Sequence, residues 1–232
     1  MPAFNEEDYL YSTLDRLIDL RSHSKNFDFE IIVIDDASTD NSLETVERFI
    51  SESKISYKKN SLNMGKGRSV QKGISMATGD YILIQDADNE YSPSDIPKML
   101  AVIGNNKNRV IYGSRYLNNK GRRRYRKYSG QNYGAWIFAL IFPYYIYFVK
   151  RIWISDPLTG YKIYPTRLFE GWTPITHGFE TDHEISCRLI NQDYELVEVP
   201  ITYYPRSKKE GKKINASDAL KAIWAFWRFR NA

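Results

Sequence analysis

Tyr81-Ile82-Leu83-Ile84-Gln85-Asp86-Ala87-Asp88-Asn89-Glu90 runs from apolar, strand-forming residues straight into two carboxylates separated by one small residue, behind a Gly79-Asp80 turn. In an extended backbone, side chains two residues apart leave the same face, so Asp86 and Asp88 can reach one point while Ala87 points away. Two hard oxygen ligands at that spacing suit a divalent cation that also holds a ligand's phosphates. The same triplet also suits a turn and cap ahead of the helix announced by Pro93 and Asp95. Only its surroundings choose between the two.

Upstream, Leu10, Leu14, Leu17 and Ile18 share one helical face, with Asn5 as a cap. Nothing stands in front of Pro2 to make a strand. Phe29 to Ile34 is near-continuously apolar, as a buried parallel strand tends to be, and it ends in Asp35-Asp36. Leu43, Val46, Phe49 and Ile50 mark the next helix. Residues 55–58 read as a short strand, and the loop from Asn60 to Gly67 leads into a helix carrying Val70 and Ile74. Residues 96–103 form another helix, and Arg109 to Gly113 another strand. Strands alternating with helices predict an α/β, Rossmann-like, mostly parallel sheet flanked by helices. Ligands of such sheets sit beyond the carboxyl ends of the strands, where Asp35, Asp36, Asp86, Asp88 and Arg115 all fall. Further on, Asp156 to Tyr164 reads as turn then strand, and Glu180, Asp182 and Glu184 open a helix. Residues 195–199 alternate as a strand, and an aromatic, basic helix closes the chain.

A chain of 232 residues, 42% hydrophobic and 15% aromatic, can bury a proper core, which excludes a disordered chain. With no repeat or linker it is expected to be a single domain, 1–232. Its one cysteine, Cys187, cannot make an internal disulfide, and no signal peptide opens it, so a cytoplasmic location is expected. The net charge of +5 is concentrated in Lys120–Lys127 and Arg206–Lys213, outside which acidic residues outnumber basic ones. That concentration points to an anionic partner, ligand phosphates or a membrane surface. No nucleic-acid signature accompanies the charge, so no nucleic acid is expected. Tyr133 to Val149 has no charged residue but is interrupted by Pro143 and is too short to span a bilayer. Segment 133–154 reads either as an interfacial, membrane-lying helix pair or as a helix packed on the sheet or another subunit.

Pro2-Ala3-Phe4-Asn5-Glu6, Val33 to Ser38, Asn63-Met64-Gly65-Lys66-Gly67, Asp86-Ala87-Asp88, Gly113 to Tyr116, Asp156 to Tyr161, Gly178-Phe179-Glu180 and Arg206 to Lys213 occur in this order over nearly the whole chain. Together they resemble family 2 glycosyltransferases of the GT-A fold, most closely the polyprenyl-phosphate (dolichol- or undecaprenyl-phosphate) mannosyl- and glucosyltransferases. Such a resemblance implies inverting, metal-dependent transfer of a hexose from a nucleotide-diphosphate sugar, GDP-mannose or UDP-glucose, to a polyprenyl phosphate, with residues 1–115 as the nucleotide-sugar-binding half and 116–232 as the acceptor-binding half. The alternatives are a soluble or glycan hydroxyl acceptor, or a non-catalytic nucleotide-sugar-binding subunit.

The resemblance also implies roles. Pro2, Phe4, Glu6, Asp35, Asp36, Lys66, Gly67 and Ala87 would line the nucleotide-sugar pocket with Asp86 and Asp88. Asp86 and Asp88, joined by Glu90, would hold Mg2+ or Mn2+ on the diphosphate. Arg115, Arg126, Ser129 and Arg206 would grip the acceptor phosphate, Arg115 and Arg206 counting with the two aspartates as catalytic. A hydroxyl acceptor would instead need a carboxylate base, for which Glu180, Asp182 and Glu184 are the nearest cluster, although capping and support suit them better. The family's usual first strand is missing ahead of Pro2. Attachment is expected to be peripheral, on the cytosolic membrane face, directly, through an anchoring partner or as a homo-oligomer.

Overall fold

A computed structural model describes residues 1–52, 54–117, 127–128, 131, 133–192, 194–206 and 216–231. Seven strands and seven helices alternate through it. β1 (Pro2–Ala3) leads to α1 (Glu7–His23), β2 (Ile32–Asp35), α2 (Ser42–Ser51), β3 (Ser56–Lys59), α3 (Lys66–Met76) and β4 (Tyr81–Leu83). A 3-10 turn at Pro93–Asp95 opens α4 (Ile96–Ala101), followed by β5 (Arg109–Ser114), α5 (Tyr133–Lys150), β6 (Lys162–Pro165), α6 (Thr181–Asn191), β7 (Glu195–Pro200) and α7 (Ala216–Arg228).

Strands β1, β2 and β3 pair in parallel in that order. The other four run β4-β6-β5-β7, with β6 antiparallel to both neighbours and β7 parallel to β5. The α/β architecture is therefore as expected, with β6 reversed in its second half. Pro2–Ala3, expected to stand outside any strand, make a two-residue β1 in register with Ile34 and Asp35. Met1, Pro2, Ile32 and Tyr81 to Ile84 line one small cleft between the three-stranded and the four-stranded sheet.

Period-2 alternation sorts β5 between two cores. Val110 and Tyr112 join Phe142, Ile146, Ile185, Leu189 and Phe226 under α5, α6 and α7. Ile111 faces the other way, with Ile96, Met99, Ile163, Val199 and Ile201. A third cluster, Leu10, Leu14, Val33, Val46 and Phe49, seats α1 and α2 on the parallel strands.

Two local expectations change. Asn5 does not cap α1; it takes a left-handed backbone, and its Oδ1 accepts the Thr39 N–H. The cap is supplied across helices instead, Asp40 accepting from Glu7 N–H while Glu7 accepts from Asn41 N–H. Segment 133–154 is not a helix pair, because α5 runs unbroken through Pro143. A proline costs an interior helix one donor, and the buried flank of Phe142 and Ile146 holds the helix across that gap. Ala139, Phe142 and Ile146 line its buried stripe, while Ile137, Ile141, Tyr144 and Phe148 line an exposed one. Among the described residues no helix is long and apolar enough to cross a membrane.

This division sets the expected response to truncation. Phe142→Ala should cost about 3–5 kcal/mol in chemical denaturation, whereas Phe148→Ala, 72% exposed, should stay within about 0.5 kcal/mol of the parent. Equal losses would mean that the outer stripe is also core.

Candidate active site

The carboxyl end of β4 delivers the two aspartates. Ala87 is buried against the α1–α2 cluster, which turns Asp86 and Asp88 together toward the strand edge. Lys66, the first residue of α3, places its Nζ 2.5 Å from Asp86 Oδ1, and Arg206 places NH2 3.1 Å from Asp88 Oδ2. Arg206 is itself buried. Its NH1 donates to Glu6 Oε2 at 2.8 Å, and its backbone N–H donates to Glu90 Oε1 at 2.7 Å. One guanidinium thus ties the start of α1, the loop after β4 and the segment after β7.

This charge is incompletely balanced. Burial, then Asp86 and Glu90, push the Asp88 carboxyl up to about 7, against the opposing pull of Arg206. Burial works against the Lys66 ammonium too, but Asp86, Asp182 and Asp88 outweigh it and hold its pKa above the ordinary value. An excess of carboxylate on hard oxygen ligands is the donor set a divalent cation fits, and Asp86 and Asp88 are the residues that would hold it. Glu90, expected as a third ligand, has both carboxylate oxygens engaged by the protein. It is buried and turned inward, accepting from Tyr203 OH at 2.7 Å and from the Arg206 backbone, because the chain folds under it there. Among the described residues, no group of three or more His, Cys, Asp or Glu side chains is placed to hold a metal.

The other expected pocket residues divide. Pro2 lies in β1, Phe4 follows it half-buried, and Glu6 faces Arg206. Asp35 and Asp36 do not offer their carboxylates to a ligand. Asp35 accepts from Ser38 N–H and Tyr57 OH, and Asp36 from Asn60 and from the N–H groups of Met64 and Gly65. Both are buried, and they shape the 60–67 loop from below. Gly67 closes that loop on the 176–181 segment. Its N–H donates to His177 O at 2.7 Å, and a Cβ there would fall 2.0 Å from Thr181 Oγ1, so no larger residue fits.

Arg115 is bound internally rather than open to an acceptor phosphate. Its Nε and NH2 form a fork on Asp156 at 2.7 and 2.8 Å, with Tyr203 stacked 4.9 Å away. Arg126 and Ser129 lie outside the described residues, as does most of both basic segments.

The trio opening α6 does not cap it. Glu184 is buried, accepting from the backbone of Ile175 and Thr176. Glu180 folds back on Gly178, with Oε2 buried and without a partner among the described residues. Asp182 accepts from Tyr164 OH at 2.9 Å and pairs with Lys162, while its side chain stays 21% exposed. Burial opposes its charge, but Lys162 and His183 outweigh that and hold the carboxyl below its ordinary range. Lys162 was not singled out in the sequence. A lysine set between Tyr161 and Ile163 in an apolar strand was the available signal, since a buried ammonium requires a partner.

Comparisons with known proteins place this geometry. Residues 1–172 match the model of Glycosyl transferase family 2. A dolichol-phosphate mannosyltransferase of Pyrococcus furiosus is 29% identical over 218 residues, 91% of this chain but 57% of that protein's length. Glucosyl-3-phosphoglycerate synthase of Mycobacterium tuberculosis, solved with Mn2+, uridine diphosphate and glucosyl-3-phosphoglycerate, aligns at 16% identity with a TM-score of 0.70, covering 98% of this chain and 77% of its own. TarS of S. aureus aligns at 17% identity with a TM-score of 0.60, covering 98% and 69%. The fold is the GT-A fold of these enzymes. The narrower assignment to polyprenyl-phosphate transferases is overturned. Solved structures that match nearly the whole chain include phosphoglycerate glycosyltransferases and TarS rather than polyprenyl-phosphate enzymes. What the family match carries is the broader statement: the chain belongs to the family 2 glycosyl transferases.

Proposed function

We propose that this chain transfers a hexose, with inversion, from a uridine-diphosphate sugar to a hydroxyl of a soluble or glycan acceptor. The observation that carries the reading is the convergence of Asp86 and Asp88 with Lys66 and Arg206 at the strand edge. The uridine diphosphate and Mn2+ in the M. tuberculosis enzyme support the donor. Mg2+ or Mn2+ on Asp86 and Asp88 would supply positive charge to the departing diphosphate. Lys66 and Arg206 flank the same phosphates as fixed cations, and the buried Arg206 Nε–H, without an acceptor among the described residues, gains one from a phosphate oxygen.

A hydroxyl, unlike a phosphate, must lose its proton as it attacks. Asp182 is the carboxylate suited to take it: ionised, partly exposed, oriented by Tyr164 and Lys162, and close enough to Lys66 to act on its charge. The acceptor oxygen then forms its bond to the anomeric carbon as the bond to the diphosphate breaks, and the proton passes to Asp182. Glu180 and Glu184 remain supports.

Asp88→Asn should lower turnover of UDP-glucose at least about 100-fold while the chain stays folded, because the buried Arg206 keeps its pair with Glu6. An Asp88→Asn protein with parental turnover would remove the aspartate pair from the reaction. Chelation should abolish transfer and added Mn2+ restore it, read as release of nucleoside diphosphate.

Asp182→Asn should lower kcat about 100-fold or more while donor affinity holds. The paired Lys162→Met/Asp182→Asn variant, lacking both buried charges, controls for folding. Since the Asp182 carboxyl lies below its usual range, the base stays ionised across about pH 6–8; with Mn2+ saturating, so that proton loss from Asp88 does not limit metal loading, kcat should fall only at lower pH, as Asp182 becomes protonated. A kcat that fell between those values would assign the proton transfer elsewhere.

A further inference from the structure

The exposed stripe of α5 continues onto α7, and we propose that the two helices together form a surface that docks on an anionic lipid bilayer. This inference goes beyond the transfer reaction and does not rest on it.

The geometry makes one face of two helices. Tyr145 OH donates to Ile223 O, and Lys150 at the end of α5 reaches Arg230 O beyond the end of α7, so the helices lie side by side and run in the same direction. Each is buried along one stripe, Phe142 and Ile146 on α5, Ala222, Ala225 and Phe226 on α7. The outward stripe of α7 is Leu220, Ile223, Trp224 and Trp227, at the i, i+3, i+4, i+7 spacing. Phe142 and Phe226 meet edge to face in one shared core, so the Ile137, Ile141 and Phe148 stripe and the α7 stripe both stand on the sides of their helices turned away from it. Leu220 is 70% exposed and Trp227 56%, far more than a packed helix shows.

The charges say what covers it. Along α5 and α7 the basic residues are Lys150, Lys221 and Arg228, with Arg151 and Arg230 just beyond; Asp218 is the only acid. The cations sit against the aromatics. Arg230 lies 4.2 Å from the Trp227 ring, Lys127 4.5 Å from Tyr133 and Arg151 5.9 Å from Phe148. A second copy of the chain is a poor occupant, since a two-fold contact sets a patch against itself and these cations would meet cations. A bilayer with anionic headgroups offers the complement at both levels, acyl chains for Ile, Leu and Trp and phosphates for Lys and Arg. Neither helix crosses a membrane, so both lie along its surface.

Flotation of the full chain with phosphatidylcholine vesicles containing about a third phosphatidylglycerol tests this. The parent chain should rise with those vesicles and much less with pure phosphatidylcholine or in high salt. Phe148→Glu/Trp224→Glu should leave about tenfold less protein on the vesicles at an unchanged thermal midpoint. If that variant does not fold, the milder Ile141→Ser/Leu220→Ser takes its place with the same expectation. A parent chain that stays off anionic vesicles, or a folded variant that floats equally well, overturns the proposal. So does a parent dimer that Phe148→Glu/Trp224→Glu converts to a monomer without any vesicle binding, which gives the face to a second copy.

Discussion

The buried guanidinium of Arg206 is the contact on which the site depends. Glu6, Asp86, Asp88, Glu90 and Asp182 gather where little water reaches them, and like charges in such a place repel strongly. Arg206 offsets part of that repulsion by bonding Glu6 and Asp88 at once while its own backbone satisfies Glu90. Lys66 and Lys162 do the same for Asp86 and Asp182. Burial first, and then the charge of Asp86 and Glu90 that Arg206 does not cancel, make Asp88 hold its proton well above the ordinary carboxylate range. A site left slightly too negative is one prepared for a cation.

That charge arrangement needs loops held in place, and backbone packing holds them. Asp36 collects donors from Asn60, Met64 and Gly65, so the loop ahead of α3 is pinned from beneath. Gly67 lets the same loop touch His177 and Thr181, which brings Lys66 beside Phe179 and toward Asp182. Asp156, gripped by Arg115, joins the turn before β6 to the end of β5. Carboxylates that looked like ligand contacts are therefore part of the scaffold. Functional loops are useful only where a rigid frame fixes their positions.

The helical layer beneath the second half of the sheet follows a different rule. An apolar helix with one wet face must find a second neighbour or leave that surface in water. In α5 and α7 the core takes one stripe of each, and the outward stripes with their basic border remain. Phe142 and Phe226, edge to face at 5.6 Å, show how firmly the inner stripes are fixed.

Much of this molecule was legible in its residues alone. The alternation of strands and helices, the Asp86-Ala87-Asp88 turn and the family likeness all rest on patterns local in sequence, where a period of two or 3.6 is imposed by backbone geometry. The reversal of β6, the inward turn of Glu90 and the capture of Arg115 by Asp156 were not legible, nor was the pairing of Glu6 with Arg206, 200 residues apart. Sequence determined which groups were available and on which edge of the sheet they would stand. Only the tertiary structure decided which carboxylate met which cation, because that choice follows from distances of a few ångströms between segments remote along the chain.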